Sequence, residues 1–158
     1  MAADAKLIQE ITEFRQSFKS LILATAADDQ PGASYAPYIE DNKPNFYIFI
    51  SRLAKHTANI LANPQADLLW IENEDGPKNI FARKRLQINC KANIIEKSDH
   101  KHEAILQRMR AELGDTIKVL KSLPDFLLVE LVPQRATYVQ GFAQAFNLTA
   151  SDLKSNKA

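Results

Sequence analysis

The spacing of apolar residues changes several times along the chain, and each change marks an element. Leu7, Ile8, Ile11, Phe14 and Phe18 recur every three to four positions, which predicts an amphipathic helix over 4–19 with Asp4 as its N-cap. Short apolar runs follow: 21–27 (LILATAA) and 33–39 (ASYAPYI) read as a hairpin across the turn residues Asp28-Asp29-Gln30-Pro31-Gly32. Pro37 cannot donate to a ladder, which points to an edge or a bulge there. Residues 46–51 are aromatic and apolar throughout, as a buried strand is. A short helix over 54–62 comes next, stopped by Asn63-Pro64, and then a strand over 66–72.

Over 80–95 the chain alternates. Leu86, Ile88, Cys90, Ala92 and Ile94 fall on one face, and Arg85, Gln87, Asn89, Lys91 and Asn93 on the other, which predicts one long half-exposed strand. A helix over 98–113 carries the stripe Ile105, Leu106, Met109 and Leu113 and stops at Gly114; a shorter helix covers 115–123. Strands over 126–132 and 136–146, joined by a turn containing Pro133, close the domain. About seven strands, mostly in hairpin succession, predict a mainly β (α+β) fold, a closed or nearly closed antiparallel barrel with flanking helices rather than an open sheet with two bare edges. The domain spans 1–150, with a polar tail over 151–158. No Gly-rich strand-to-helix loop supports a doubly wound nucleotide fold.

Composition narrows the function classes. Twenty basic and 19 acidic residues leave a formal charge of +1, which gives no reason to expect nucleic acid as a partner. No apolar run approaches the ~18 residues of a span, and the start lacks an apolar signal core, so no membrane insertion and a cytoplasmic location are expected. A single cysteine, Cys90, excludes an internal disulfide and reads as an inert thiol on the apolar face of its strand. His100 and His102 stand two apart on a helix and read as surface residues. No zinc spacing and no Gly-x-Ser-x-Gly elbow is present.

What remains is a binding set. Ser34 and Tyr35 lie on the second strand. Ser51, Lys55, His56 and Thr57 lead into the helix over 54–62, whose free N–H groups and positive dipole end favour an anion. Arg83, Lys84 and Arg85 lie on the 80–95 strand, with Arg83 and Arg85 on one side and Lys84 on the other. One reading is a capped surface helix and a solvated basic face. The sharper one is that three neighbouring strands deliver cations and hydroxyls to one cleft holding a phosphorylated planar ligand.

Five ordered motifs carry a resemblance: ASYAPY (33–38), FISRLAKHTANI (49–60), IFARKRL (80–86), LPDF (123–126) and GFAQAF (141–146). They resemble the FMN-binding split-barrel superfamily of pyridoxamine phosphate oxidase, and within it most of all the bacterial haem-utilisation branch. The resemblance implies an antiparallel split barrel acting as a homodimer with two ligand sites at the subunit interface, a small FMN-dependent oxidoreductase. The alternative it implies is a haem-binding or haem-degrading protein of iron utilisation. Lys55 and His56 match the oxidase's phosphate-binding basic pair, and Arg85 a polar residue facing the flavin ring. In the haem branch Asp125 matches an aspartate near the iron-ligating histidine, and Arg85 a residue needed for haem degradation. That branch places its ligating histidine in a C-terminal tail, whereas no histidine follows His102 here. Ala143 stands where the branch has the second glycine of Gly-Phe-Gly, and the oxidase's Arg- and His-rich C-terminal substrate segment is absent from the sequence. Phe46, Ile48, Leu69 and Phe81 are the expected interface residues.

Overall fold

The computed structural model describes residues 3–154. Helix α1 (Ala5–Gln16) begins where Asp4 Oδ1 accepts the Leu7 N–H at 2.8 Å, and it buries Leu7, Ile8 and Ile11. Strands β1 (Ser20–Ala27) and β2 (Gln30–Pro37) then pair in register from Ala27↔Gln30 to Ser20↔Pro37. The hairpin loop is only Asp28-Asp29, both with positive φ (51° and 58°), the left-handed pair that matches strand twist. Pro31 and Gly32, expected in the turn, therefore belong to β2.

A two-residue strand β3 (Ile39–Glu40) precedes β4 (Phe46–Ser51), helix α2 (Lys55–Ala62) and β5 (Gln65–Ile71). After a 3₁₀ turn (Ile80–Ala82) come β6 (Arg85–Ile95), helices α3 (His100–Leu113) and α4 (Thr116–Lys121), β7 (Phe126–Gly141), β8 (Gln144–Thr149) and α5 (Ala150–Lys154). The antiparallel sheet runs β2-β1-β5-β6-β7-β4-β3, with β8 added to β7. It curls so that β2 returns to lie against β4, forming a split barrel. β2 ends the order, which accounts for its prolines. None of the described helices is long and apolar enough to cross a membrane.

The sheet forks along β7. Its first half pairs with β4 (Ser51↔Phe126 to Phe46↔Leu131) and its second half with β8, while β6 runs beside both. Pro133 sits at the fork, opposite Cys90, where the β6 register slips. The turn expected at Pro133 is therefore an irregularity inside one long strand, a place where a residue without an N–H is tolerated. The chain reverses instead at Phe142-Ala143, with Ala143 held at φ 57°. The expected 80–95 strand is also shorter. Glu72 takes both the backbone N–H and C=O of Lys84, Asn79 caps the 3₁₀ turn, and the regular ladder starts only at Arg85.

Two apolar clusters flank β4 and β7. Inside the barrel Phe46, Ile48, Trp70, Leu86, Ile88 and Tyr138 are buried, with the Tyr38, Phe46 and Trp70 rings 5.2–5.9 Å apart. On the other face Tyr47, Ile95 and Leu128 pack under Ile105, Leu106 and Met109 of α3 and Ile117 of α4. Covering both faces of β4 explains its unbroken apolar sequence. It also moves Phe46 and Ile48, expected at an interface, into the core, where both are fully buried. Gly114, at φ 99°, ends α3 as expected. The first residues of the expected polar tail form α5, with Leu153 buried, and residues 155–158 lie outside the described part.

Candidate functional site

The loop from β4 into α2 is built from hydroxyls. Ser51 Oγ donates to Asp125 Oδ2 at 2.5 Å and accepts the Leu53 N–H at 3.1 Å. The Arg52 N–H reaches Asp125 O at 2.7 Å, and the buried Thr57 hydroxyl donates to Ser51 O at 2.5 Å. Ser51, Thr57 and Asp125 thus bind the loop to the start of β7. The two hydroxyls expected to contact a phosphate are already committed to this frame. A bond to a charged carboxylate is worth about 1.5–3 kcal/mol, so the frame is stiff.

That stiffness positions two side chains that are not committed. Lys55 and His56 form the first turn of α2, whose N-cap, Ala54, supplies no side-chain hydrogen bond and whose first turn carries no acid. Lys55 is exposed and His56 half-buried, and neither side chain has a hydrogen-bond or ion-pair partner among the described residues. Burial holds the His56 imidazole below its usual pKa, so it is neutral at neutral pH. Asn59 Nδ2 donates to Thr25 Oγ1 at 3.0 Å and Asn63 Nδ2 to Ala26 O at 3.0 Å, fastening α2 to β1.

The other expected residues lie apart from this group. On β2, Ser34 turns inward, its hydroxyl donating to Leu23 O, whereas Tyr35 points outward and is 62% exposed. Adjacent strand residues face opposite ways, so the two do not share a pocket. Tyr35 stands beside Ile22, which pairs with Leu69, on an outer apolar strip. Arg83 is not on a strand. Its Nε and Nη2 donate to Glu72 O at 3.1 and 2.6 Å, and Nη1 lies 3.7 Å from Glu74 Oε1. Arg85 alone is on β6, with Nη1 donating to Arg83 O, while Lys84 turns the other way toward Glu10 of α1. Arg85 pairs with Val139, whereas Ser51 pairs with Phe126. Nearly the length of β7 separates the two groups, roughly 40 Å at ~3.3 Å per residue along a straight strand. The single cleft fed by three neighbouring strands is not assembled within one chain. Beside Arg85 the exposed surface is apolar, with Phe81 at 78% and Phe142 at 70%.

Two further groups complete the inventory. Burial raises the Cys90 thiol pKa well above its usual value, in keeping with an inert residue. His100 is exposed as expected, but His102 is not a surface residue: it is buried, 8% exposed, against the sheet. The helix turns between positions two apart by about 200°, so the two rings point apart, and the packing of α3 decides which of them is buried.

Comparison with known proteins agrees with this architecture. The family model described as pyridoxamine 5'-phosphate oxidase matches residues 7–140. The heme oxygenase HutZ of Vibrio cholerae is 38% identical over 149 residues, 94% of this chain and 84% of that protein. A crystal structure of HutZ, described as the heme storage protein of Vibrio cholerae, superposes with TM-score 0.74 at 37% identity, covering 80% of this chain and 89% of that one. Campylobacter jejuni ChuZ gives TM-score 0.83 at 28% identity, over 96% of this chain and 63% of that longer one. With the split barrel, the hydroxyl-framed α2 entry and these matches in hand, the chain belongs to the pyridoxamine 5'-phosphate oxidase family.

Proposed function

We propose that the protein binds haem between two copies of the chain and serves haem utilisation, as a haem-binding or haem-degrading protein. The observation that carries this reading is His56: a half-buried, neutral imidazole without a partner, on a loop stiffened by Ser51 and Asp125. A neutral imidazole is the form that ligates iron, and haem needs no cluster of protein ligands. The donor set therefore fits. His56 would supply the axial nitrogen, and Lys55 a cation for a propionate. Asp125 would act through Ser51 by fixing the loop. Bound haem would supply the redox-active iron at which dioxygen chemistry is carried out. The relatives named a heme oxygenase and a heme storage protein support the ligand class.

The second copy follows from the separation of Arg85 from His56. Arg85 joins the site when another chain presents its Phe81–Phe142 end to the α2 end of this one. The outer strip of Ile22, Tyr35 and Leu69 and the exposed Phe81 give the two chains apolar surface to share.

FMN is the second reading. It is favoured by the uncapped N-terminus of α2, which with Lys55 suits a phosphate. Hemin and FMN titrations of the purified chain separate the two. A Soret band saturating at one haem per chain, altered by His56→Ala, supports haem; tight FMN binding weakened by Lys55→Ala, with no saturable hemin spectrum, overturns it.

A further inference from the structure

On the α3 side of the sheet, bordered by Arg52 of the β4–α2 loop, a cavity of about 430 Å³ opens between the end of β6, the start of α3 and the start of β7. Its lining is mixed, and the apolar part comes chiefly from Ile95, Pro124 and Phe126. Its polar lining comes from Arg52, Lys97, Ser98, His102 and Glu96. The volume lies in the range of small-molecule sites.

His102 shows that the cavity has a polar end built to receive something. The residue is more than nine-tenths buried, and its imidazole has no hydrogen-bond partner among the described residues. The described buried side-chain atoms that lack both a partner and solvent are Glu40 Oε1 and Trp70 Nε1. The His102 nitrogens are not among them, so they keep accessible surface, and the cavity is the space that the ring lines. An imidazole N–H left without a partner is costly unless a ligand or water takes it.

The cations that line it are unpaired. The Arg52 guanidinium and the Lys97 ammonium have no ion-pair partner among the described residues, and both line the cavity. Of the neighbouring acids, Glu103 is paired with Lys121, Asp99 accepts the Lys101 N–H as the cap of α3, Asp125 accepts the Ser51 hydroxyl, and the Glu96 side chain has no partner among the described residues. The N-terminus of the 14-residue α3 adds its dipole from the same side. Two cations, an N–H donor and a hydroxyl facing an apolar wall match an amphipathic monoanion.

We propose that this cavity is a second binding site, for a small carboxylate with an apolar body. Arg52, Lys97 and the His102 N–H hold the carboxylate, and Pro124 and Phe126 hold the body. Inorganic phosphate shares the anionic chemistry but leaves the apolar half of the cavity empty.

Titration of the full chain with sodium 4-phenylbutyrate, followed by backbone-amide NMR, tests the assignment. Saturable shifts confined to residues 51–53, 95–102 and 124–128 are expected. The neutral 4-phenylbutyramide and inorganic phosphate should each bind at least about tenfold more weakly, the scale set by one lost charged or apolar contact. Lys97→Gln should weaken phenylbutyrate about tenfold while leaving the hemin titration unchanged. His102→Gln, which keeps an N–H donor, should bind nearly as the parent, whereas His102→Leu should not. Should the leucine variant fail to fold, the surface variants Lys97→Gln and Arg52→Gln still decide. No saturable shift at about 10 mM phenylbutyrate, equal binding of the amide, equal binding of phosphate, or indifference to Lys97→Gln and Arg52→Gln would each overturn the site.

Discussion

The two ends of β7 use their polar residues in opposite ways. At Phe126 the strand meets a loop whose hydroxyls and carboxylate satisfy one another, Ser51 to Asp125 and Thr57 to Ser51, so that Lys55 and His56 are held out uncommitted. At Val139 it meets arginines turned onto nearby backbone, Arg83 onto Glu72 O and Arg85 onto Arg83 O, under exposed phenylalanines. The first end is a stiff loop carrying an uncommitted ammonium and imidazole, and the second is a basic, apolar surface with little free donor capacity beyond the rest of Arg85. Under the proposed function a complete site draws one end from each of two chains, because Val139 and Phe126 lie far apart along one strand.

The largest expected effect comes from charging the surface the second copy would cover. Tyr35→Asp places a carboxylate in the Ile22–Leu69 strip and should weaken self-association about 100-fold, as loss of a buried aromatic anchor does. Sedimentation velocity at micromolar concentration reads this, and hemin affinity should fall with it. A Tyr35→Asp protein that stays dimeric would move the interface elsewhere.

Next is the mount itself. Asp125→Ala removes the acceptor of the Ser51 hydroxyl at the α2 end and should cost about 1.5–3 kcal/mol by urea unfolding. It should also loosen hemin binding, without altering the Arg85 end. Unchanged stability would show that the frame is not stiff.

A smaller gain is expected at the other end. Ala143 adopts φ 57°, where a Cβ is strained, so Ala143→Gly should stabilise the protein by about 0.5–1 kcal/mol. Thermal unfolding checks it, and a destabilised variant would contradict the turn geometry.

The smallest effect is in pH. Burial lowers the pKa of His56 and of His102, so the fold disfavours their charged forms. Their contribution is fully present above the ordinary value near 6.5 and is lost as the pH falls through it toward the lower folded-state values. Glu103 and Asp99 oppose the shift at His102, while Lys97 and Lys121 reinforce it. His102→Gln should flatten the urea-midpoint profile between pH 5 and about 7, and an unchanged profile would contradict the burial argument.

How far the sequence could be read depended on whether a signal was local. The Asp4 cap, the Gly114 stop, the edge placement of Pro37 and the alternation from Leu86 to Ala92 each depend on a few neighbouring residues, and all hold in the fold. Pro133 was read as a turn because a missing N–H looks the same in a turn and at an in-strand fork; only the partner strands distinguish them. Phe46 and Ile48 looked like interface residues because nothing local says that α3 covers the other face of β4. Arg83 and Arg85 looked like one basic face until Glu72, eleven residues before Arg83, claimed both Arg83 and the backbone of Lys84. The family motifs placed Asp125, but its bond to Ser51 spans 74 residues and has no sequence signature. His102 was missed for the same reason: its burial depends on β6 and β7, not on its own helix.

Mixing two variants tests the central claim most directly. His56→Ala and Arg85→Ala, each purified alone, should lack normal hemin binding or turnover. If a site takes His56 from one chain and Arg85 from another, subunit exchange between them rebuilds one intact site in every mixed dimer, about a quarter of all sites at equal amounts. The hemin spectrum and haem-degrading activity of the mixture should recover to about that fraction. A mixture that recovers nothing, although exchange is demonstrated by labelled subunits, would contradict the shared site.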